Sequence, residues 1–294
     1  MAAADALSGR GPLSPGATGP TAPSPLKRGW PGVRTQGGIG SAQEAGGPAG
    51  APSRGPGAGL GEEPATAWLW GPGTGSTGLL KGIFIVAYTA IFPLGLVGLW
   101  VPAGHRHPLI MTAYVALFTL GTWAWRHELA RMVRPIAARP LRSVGILLLG
   151  LLGMMVIEAL GGLLQMLLQG ILPAANEPLG NDTAISALTG LYPPLVLAVV
   201  LGVLGPVVEE LAFRQVLIPV ISHRAPGWVA VVVSSVLFGM LHMESFAISE
   251  WVGVIPHACF GLALGILFLR TRGNLLYPVV LHVLMNLSAF LTPR

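Results

Sequence analysis

The chain has 294 residues, of which 52% are hydrophobic and only 10% are charged, so its composition excludes an ordinary soluble globular protein. The net charge of +5 could suit nucleic acid, but the basic residues lie in short segments between apolar runs, which argues against a nucleic-acid-binding face. Cys259 is the only cysteine, so neither an intrachain disulfide nor a cysteine-based metal site is possible. These features predict an all-α, polytopic integral protein of the cell membrane.

The N-terminal segment, residues 1–77, is rich in Gly, Pro, Ala and Ser and contains few large apolar residues. Such a segment cannot bury enough apolar surface to offset its chain entropy. We therefore predict a disordered cytoplasmic tail over residues 1–77 and a transmembrane domain over residues 78–294. The first apolar run starts only near Leu79, and so we do not expect a cleaved signal peptide.

Seven apolar segments follow the tail, and their lengths are those of membrane-spanning helices. The last segment is short, which favours a tilted or incomplete span. Tryptophans flank the segments, as expected for residues at the membrane–water interface: Trp100, Trp123, Trp125, Trp228 and Trp251. The predicted spans are 82–101, 109–125, 144–172, 194–221, 228–242, 251–269 and 275–291.

The distribution of arginines predicts the orientation of these spans. The loop after the second span contains five arginines, whereas the loop 173–189 contains Glu177 and Asp182 but neither Lys nor Arg. Because cytoplasmic loops carry the excess of Lys and Arg, we predict a cytoplasmic N-terminus and an external C-terminus. The basic residues assigned to the cytoplasmic side are Arg126, Arg131, Arg134, Arg139, Arg142, Arg224, Arg270 and Arg272.

The fourth span carries three charged side chains, Glu209, Glu210 and Arg214, within an otherwise apolar run. An ionised group in hydrocarbon costs several kcal/mol, so each must have a partner or water. On a helix, Glu210 and Arg214 are four residues apart and share a face, whereas Glu209 points about 100° away. The spacing therefore predicts a Glu210–Arg214 ion pair and leaves Glu209 available for chemistry.

Further polar side chains lie in the fifth span, at His242, and in the seventh, at His282 and Asn286. At about 1.5 Å per residue, Glu209 and His242 lie about 22 Å from the cytoplasmic ends of their spans, Asn286 about 18 Å and His282 about 12 Å. We expect Pro219 to end the regular helix of the fourth span early, which would reduce the depth of Glu209. A carboxylate, two imidazoles and an amide in one pocket could activate water and stabilise an oxyanion.

Three motifs in this order resemble those of the CAAX protease and bacteriocin-processing (CPBP, or Abi) family of intramembrane proteases. They are Glu209-Glu210-Xaa-Xaa-Xaa-Arg214, Phe238-Xaa-Xaa-Xaa-His242 and His282-Xaa-Xaa-Xaa-Asn286, within residues 188–291. The resemblance implies a transmembrane bundle with a polar cavity open toward the cytoplasm and the lipid. It also implies that Glu209, helped by His242, activates water, that His282 and Asn286 stabilise the oxyanion, and that Glu210, Arg214 and Phe238 support them. Gln215 stands where many members have Gly.

The resulting hypothesis is an intramembrane endopeptidase that acts on a membrane-bound or lipidated, CAAX-like peptide or protein. One alternative is a non-catalytic scaffold or bacteriocin-immunity protein that uses the same cavity, and another is a proton-coupled transporter. We favour glutamate-dependent hydrolysis without a cofactor, because the His-Glu-Xaa-Xaa-His pattern of many zinc proteases is absent. Zinc bound by Glu209, His242 and His282 is the alternative. The sequence leaves the oligomeric state open.

The remaining polar residues of the spans have less specific interpretations. Glu158 in the third span is expected to meet water or a hydrogen-bond donor near the outer surface, with lining of the cavity as a second option. His257 in the sixth span is expected to form an interhelical hydrogen bond. Four further histidines lie at span ends or in loops and are expected to be interfacial: His105, His107, His127 and His223.

Overall fold

The structure is a computed structural model that describes residues 75–177 and 179–291. Apart from its last three residues, the tail predicted over residues 1–77 lies outside the described residues. The described residues form helices and contain no β-strand, which confirms the all-α prediction. The helices are α1 Gly75–Ile91, α2 Leu96–Trp100, α3 Ala103–Ala124, α4 Arg126–Ala138, α5 Pro140–Ile171, α6 Gly180–Thr189, α7 Pro194–Ser222, α8 Gly227–Met240, α9 Ile248–Gly253, α10 Ile255–Arg270 and α11 Leu276–Leu291.

Three helical segments of the described chain are long and apolar enough to cross a membrane: α5, α7 and the α9–α10 pair. A fourth is obtained if α3 and α4, which meet at a bend of 74°, count as one span. Helices α1, α8 and α11 are apolar but shorter. Each of the seven predicted segments therefore coincides with an apolar helix or helix pair, and the helical membrane bundle is confirmed. The number of complete spans stays a prediction.

The arginine-rich segment predicted as a loop is instead helical over α4. Its Glu128 is buried and accepts a hydrogen bond of 2.7 Å from the Nζ of Lys81 on α1, so a buried ion pair ties the two helices together. Burial acts to raise the pKa of Glu128, but the hydrogen bond and the charge of Lys81 hold that pKa below its ordinary value. Helix α1 is thereby fixed at the end of the bundle that carries the arginines.

One of the five tryptophans predicted to lie at the interface is part of the core. Trp125 is 2% exposed, whereas Trp100 is 84% exposed. The Trp125 ring packs edge-on against Phe84 at 5.3 Å between centroids, and the Lys81 ammonium lies 5.4 Å from its centroid. The interface prediction for Trp125 was wrong because the bend between α3 and α4 turns this side chain inward, against α1.

Helix α7 continues through Pro219 to Ser222, so the prediction that Pro219 ends the helix early was wrong. Two segments of α7 are π-helical, Val200–Leu204 and Leu211–Leu217. A proline disrupts a regular helix through its missing N–H and its clash with the preceding turn. The widened turn that ends at Leu217 accommodates Pro219 without ending the helix.

Helices α8 and α10 approach closely at small residues. A Cβ atom at Gly239 would lie 3.0 Å from the Cβ of Ala258 and 3.1 Å from its backbone nitrogen. A Cβ at Gly261 would lie 3.2 Å from the backbone of Ser235, and one at Gly265 would lie 2.9 Å from a Val231 methyl group. Small residues at such a crossing allow van der Waals packing of the backbones, the main attraction between helices in lipid. This contact also brings the Gly261 carbonyl next to α7.

Candidate active site

The two adjacent glutamates of α7 lie between its two π-helical segments, on Gly205–Glu210. Glu209 is 8% exposed and Glu210 is completely buried. A buried charge is stable only with partners, and the two carboxylates have different ones. The widened turns on either side change the direction in which neighbouring side chains point, which is why π-helical turns recur at functional sites.

Glu210 is paired with Arg214, as the sequence predicted. The Oε1 of Glu210 lies 2.9 Å from the Nη1 of Arg214, and both side chains are almost fully buried. The guanidinium also donates to the Gly261 carbonyl at 2.9 Å and lies 4.8 Å from the centroid of the Phe238 ring. These contacts compensate the burial of Arg214 and fix it between α7, α8 and α10.

His282 connects the two glutamates. Its Nδ1 lies 2.9 Å from the Oε1 of Glu210, and its Nε2 lies 3.6 Å from the Oε2 of Glu209. A carboxylate paired with arginine can only accept, so Nδ1–H is the donor to Glu210. The ring is buried against Phe238 and Phe260, with centroids 5.7 and 4.9 Å away. Its orientation is thus fixed, and Nε2 faces Glu209.

Glu209 has a second partner that the sequence reasoning did not identify. The hydroxyl of Tyr114, on α3, lies 3.2 Å from the Oε1 of Glu209 and donates to it. Tyrosine in a membrane protein is most often an interface residue, so a single Tyr in the second span did not indicate this contact. One oxygen of Glu209 therefore accepts a hydrogen bond from Tyr114, and the other faces the Nε2 of His282 at 3.6 Å.

His242 lies just beyond the end of α8 at Met240, in the turn that follows, rather than on the helix itself. Its Nδ1 lies 3.0 Å from the Phe238 carbonyl oxygen. A carbonyl only accepts, so Nδ1 carries the proton and Nε2 of the neutral ring has a free lone pair. The ring packs against that of His257 at a tilt of 33°, with centroids 4.3 Å apart. His242 thus presents an unprotonated nitrogen, which can accept a hydrogen bond, at a fixed position.

Asn286 lies four residues after His282 on α11. Its Nδ2 donates to the Leu201 carbonyl at 3.2 Å, in the first π-helical segment of α7. One amide N–H is used in this contact, and the second can serve another acceptor. The contact fixes the carboxamide against α7, so Asn286 both joins the two helices and holds a donor in place.

Glu209, His242, His282 and Asn286 all line one cavity of about 820 Å³. Tyr114, Phe238 and His257 also line it. Glu158 lines it as well, which was the second of the two positions predicted for this residue, the first being near the outer surface. His107, predicted to be interfacial, lines the same cavity. Of the described residues that line it, none is Lys or Arg, whereas Glu158, Glu209 and Glu244 are acidic. The arrangement places a carboxylate and imidazoles around space for water and a peptide.

An apolar groove of about 550 Å³ adjoins this cavity. It lies between α1, α7 and the loop after α8, and it shares Phe92, Leu241 and Glu244 with the larger cavity. Its other lining residues include Phe84, Phe213 and Phe246, the last of which is 81% exposed. The two spaces therefore form adjacent compartments: the larger contains the polar side chains of the candidate site among apolar ones, and the smaller is mainly apolar.

The residues proposed for zinc do not form a metal site in the described part of the chain. No group of three His, Cys, Asp or Glu side chains is placed there to hold a metal ion. Both ring nitrogens of His282 already face carboxylates. In the described residues Glu209, His242 and His282 are not arranged as such a group, and hydrolysis without a metal stays a prediction.

Comparison with known proteins confirms the resemblance inferred from the motifs. Residues 191–288 match the profile of a family described as Type II CAAX prenyl endopeptidase Rce1-like. A Bacillus subtilis protein named "Putative membrane peptidase YdiL" is 26% identical over 88 residues, which cover 30% of this chain and 33% of that protein. An uncharacterized protein of Mycoplasma capricolum is 31% identical over 97 residues, which cover 33% of this chain and 27% of that protein. The chain thus matches about a third of each relative or less, and no solved structure matches it.

Proposed function

We propose that this protein is an intramembrane endopeptidase that hydrolyses a peptide bond in a membrane-bound or lipidated, CAAX-like substrate. The observation that supports this proposal most directly is the shared cavity of Glu209, His242, His282 and Asn286. The family match supports a membrane endopeptidase in general, because that family is described as a CAAX prenyl endopeptidase. The residue roles and the CAAX-like substrate are those that the motif resemblance implies, and they are part of this proposal.

In the proposed reaction, Glu209 is the general base and His242 assists it. A water molecule between them loses a proton to the Glu209 carboxylate while the lone pair of His242 Nε2 accepts a hydrogen bond from it. The hydroxide attacks the carbonyl carbon of the scissile bond and forms a tetrahedral intermediate. The intermediate collapses as the C–N bond breaks and the proton on Glu209 moves to the leaving nitrogen. The products are a carboxylic acid and an amine, which become a carboxylate and an ammonium group once the proton of the acid passes to the amine, and the Glu209 carboxylate is regenerated.

The developing oxyanion requires donors, and we assign this role to His282 and Asn286. His282 is held by its Nδ1–H···Glu210 contact, so its Nε2 points into the cavity at a fixed angle. With a proton on Nε2 as well, it can donate to the oxyanion beside Glu209. The second amide N–H of Asn286 is the other donor. Preorganised donors of this kind contribute strongly because they need no reorganisation during reaction.

The supporting residues determine how well these groups are held. Arg214 neutralises Glu210, Glu210 orients His282, and Tyr114 orients Glu209. The apolar groove beside the cavity suits the hydrocarbon part of a membrane-anchored substrate, since apolar chains gain about 0.8 kcal/mol per buried CH₂. A substrate bound across both compartments would place its anchor in the groove and its peptide bond near Glu209.

The proposal is tested by expressing the wild type and Glu209→Gln with a library of membrane-anchored peptides and comparing the fragments by mass spectrometry. Fragments should appear with the wild type and be absent with Glu209→Gln. Glu177→Gln is the matched control, because Glu177 is exposed and outside the cavity, and it should cleave as the wild type does. Equal fragments from all three proteins would support the non-catalytic scaffold instead.

A further inference from the structure

The end of the bundle that carries α4 has a dense group of exposed arginines. They lie on the segment from α4 to the start of α5, in the turn between α7 and α8, and at the end of α10 with the turn that follows it. We call this group the arginine surface, and its members, all exposed, are Arg131, Arg134, Arg139, Arg142, Arg224, Arg270 and Arg272. Such a concentration of exposed cations attracts anions.

Contacts between the connecting segments place these arginines next to one another. The Nδ2 of Asn274, in the turn after α10, donates to the Met132 carbonyl of α4 at 3.0 Å. At the start of α8, a Cβ atom on Gly227 would lie 3.4 Å from the Cδ1 of Leu269, at the end of α10. The three segments are therefore neighbours, and their arginines form one surface.

The described part of the chain does little to neutralise this surface. Within the described segments that carry it, Glu128 is the one acidic residue, and it is buried and paired with Lys81 at 2.7 Å. The Nη2 of Arg131 lies 4.0 Å from the same carboxylate oxygen, and this side chain is 62% exposed. No carboxylate of the described residues lies within 4.0 Å of another member of the surface. The arginine surface therefore keeps most of its positive charge.

The level of this surface in the bilayer follows from α3 and α4. Helix α3 has 22 residues, is largely apolar and is about 33 Å long, enough to cross the hydrocarbon layer. Where α3 crosses the bilayer, the bend of 74° turns α4 almost parallel to the membrane plane. The exposed Trp123 and Trp228 lie at the same end, and tryptophan favours the level of the lipid headgroups. The arginine surface therefore lies at the level of the lipid phosphates.

We propose that the arginine surface binds the phosphate groups of anionic phospholipids, such as phosphatidylglycerol, in preference to zwitterionic lipids. Guanidinium groups donate paired hydrogen bonds to phosphate oxygens and stay charged at physiological pH. The exposed Val133 and Leu141 lie among the arginines, and their apolar side chains match acyl chains better than an acidic protein. Residues 1–74 contain slightly more basic than acidic residues, so the chain's own N-terminal segment is not a polyanion. The preference depends neither on which leaflet the surface meets nor on the proposed function.

The preference is tested by native mass spectrometry of the purified protein in detergent, titrated with phosphatidylglycerol or phosphatidylcholine. The test variant replaces four exposed arginines: Arg131→Gln, Arg134→Gln, Arg139→Gln and Arg142→Gln. We expect the wild type to bind phosphatidylglycerol at least about tenfold more tightly than phosphatidylcholine, and the variant to prefer it less than about threefold. The preference should also decrease when the ammonium acetate concentration is raised about tenfold, because salt screens exposed charges.

Two further variants control for net charge and for the geometry of the arginines. One changes the net charge equally outside the surface and should keep the tenfold preference: Arg10→Gln, Arg28→Gln, Arg34→Gln and Arg54→Gln. The other has lysine at the four positions of the test variant and should keep most of the preference, since the charge is retained.

Two results of the titrations would overturn the proposal. The first is equal affinity of the wild type for the two lipids, or a loss of preference in the N-terminal variant as large as in the test variant. The second is binding of soluble glycerol 3-phosphate as tight as that of phosphatidylglycerol, because the surface would then be a site for free phosphate groups rather than for lipid.

A fluorescence measurement tests the same contact in a bilayer. In a Cys259→Ala background, Ala137→Cys on the exposed face of α4 is labelled with bimane, and Ala187→Cys on α6, beyond the far end of α5, is the control. In vesicles, brominated phosphatidylglycerol should quench the label at residue 137 at least about twofold more than brominated phosphatidylcholine at the same mole fraction. The two lipids should quench the label at residue 187 equally. Equal quenching by the two lipids at residue 137 would contradict the proposal.

Discussion

The buried ion pair of Glu210 and Arg214 gives the prediction that follows most directly from the structure. Glu210→Met leaves the guanidinium of Arg214 with the Gly261 carbonyl and the Phe238 ring but without an anion. Removing one partner of a buried pair costs about 3–5 kcal/mol, since an uncompensated charge remains. Glu210→Met also removes the acceptor for the Nδ1–H of His282. We therefore expect this variant to lower the free energy of unfolding by about 4 kcal/mol.

Arg214→Met should lower the free energy of unfolding by less, about 2–3 kcal/mol, because His282 still donates a hydrogen bond to Glu210. In the double variant no unpaired charge remains, and two methionines fill similar space. Replacing both partners of a buried ion pair by apolar residues is often close to neutral. The loss of unfolding free energy in the double variant should therefore be smaller than the sum of the two single losses, by about 2 kcal/mol or more.

The assay is denaturant unfolding in mixed micelles for the four proteins of this double-mutant cycle. Glu177→Gln serves as the surface control and should change the free energy of unfolding by less than about 0.5 kcal/mol. If the effects of Glu210→Met and Arg214→Met simply add, the two side chains do not act as a pair and the reasoning about this site is wrong.

Three further predictions concern the site and its support. Tyr114→Phe removes a hydrogen bond to the ionised Glu209, which is worth about 1.5 kcal/mol. We therefore expect kcat/KM to fall roughly tenfold while the protein stays folded. An unchanged kcat/KM would show that Tyr114 does not contribute to catalysis. Gly239→Ala forces α8 away from the α10 backbone and should cost about 1–3 kcal/mol of unfolding free energy, whereas Gly153→Ala meets nothing within 4 Å and should not destabilise. Dialysis against a strong chelator should leave activity intact with no bound zinc, and loss of activity restored by zinc would contradict the metal-free reaction.

The sequence sufficed for those parts of the fold that depend on local composition and spacing. Long apolar runs predicted the helices, because only a helix satisfies its own backbone hydrogen bonds within lipid. The four-residue spacing of Glu210 and Arg214 predicted their ion pair, which the structure places at 2.9 Å. The arginine distribution predicts which end of the bundle faces the cytoplasm, and this orientation stays a prediction.

The features that the sequence missed depend on contacts between distant segments. Trp125 is buried because α4 bends by 74° from α3, and no local pattern indicates that bend. Helix α7 tolerates Pro219 because a π-helical segment precedes it. The prediction assumed regular α-helical turns and therefore did not allow for such a segment. Tyr114 reaches Glu209 across 95 positions of chain, so only the packing of α3 on α7 reveals the contact. The bridging of Glu209 and Glu210 by His282 is also a property of packing.

The most direct test of the central claim, that Glu209 and His242 together activate water, is the cleavage rate of purified Glu209→Gln, His242→Ala and their double variant in proteoliposomes. The account predicts that each single change lowers kcat/KM at least about 100-fold and that the double variant is little slower than the slower single variant, since the two residues serve one step. A Glu209→Gln protein that retains more than about a tenth of the wild-type rate would contradict the account.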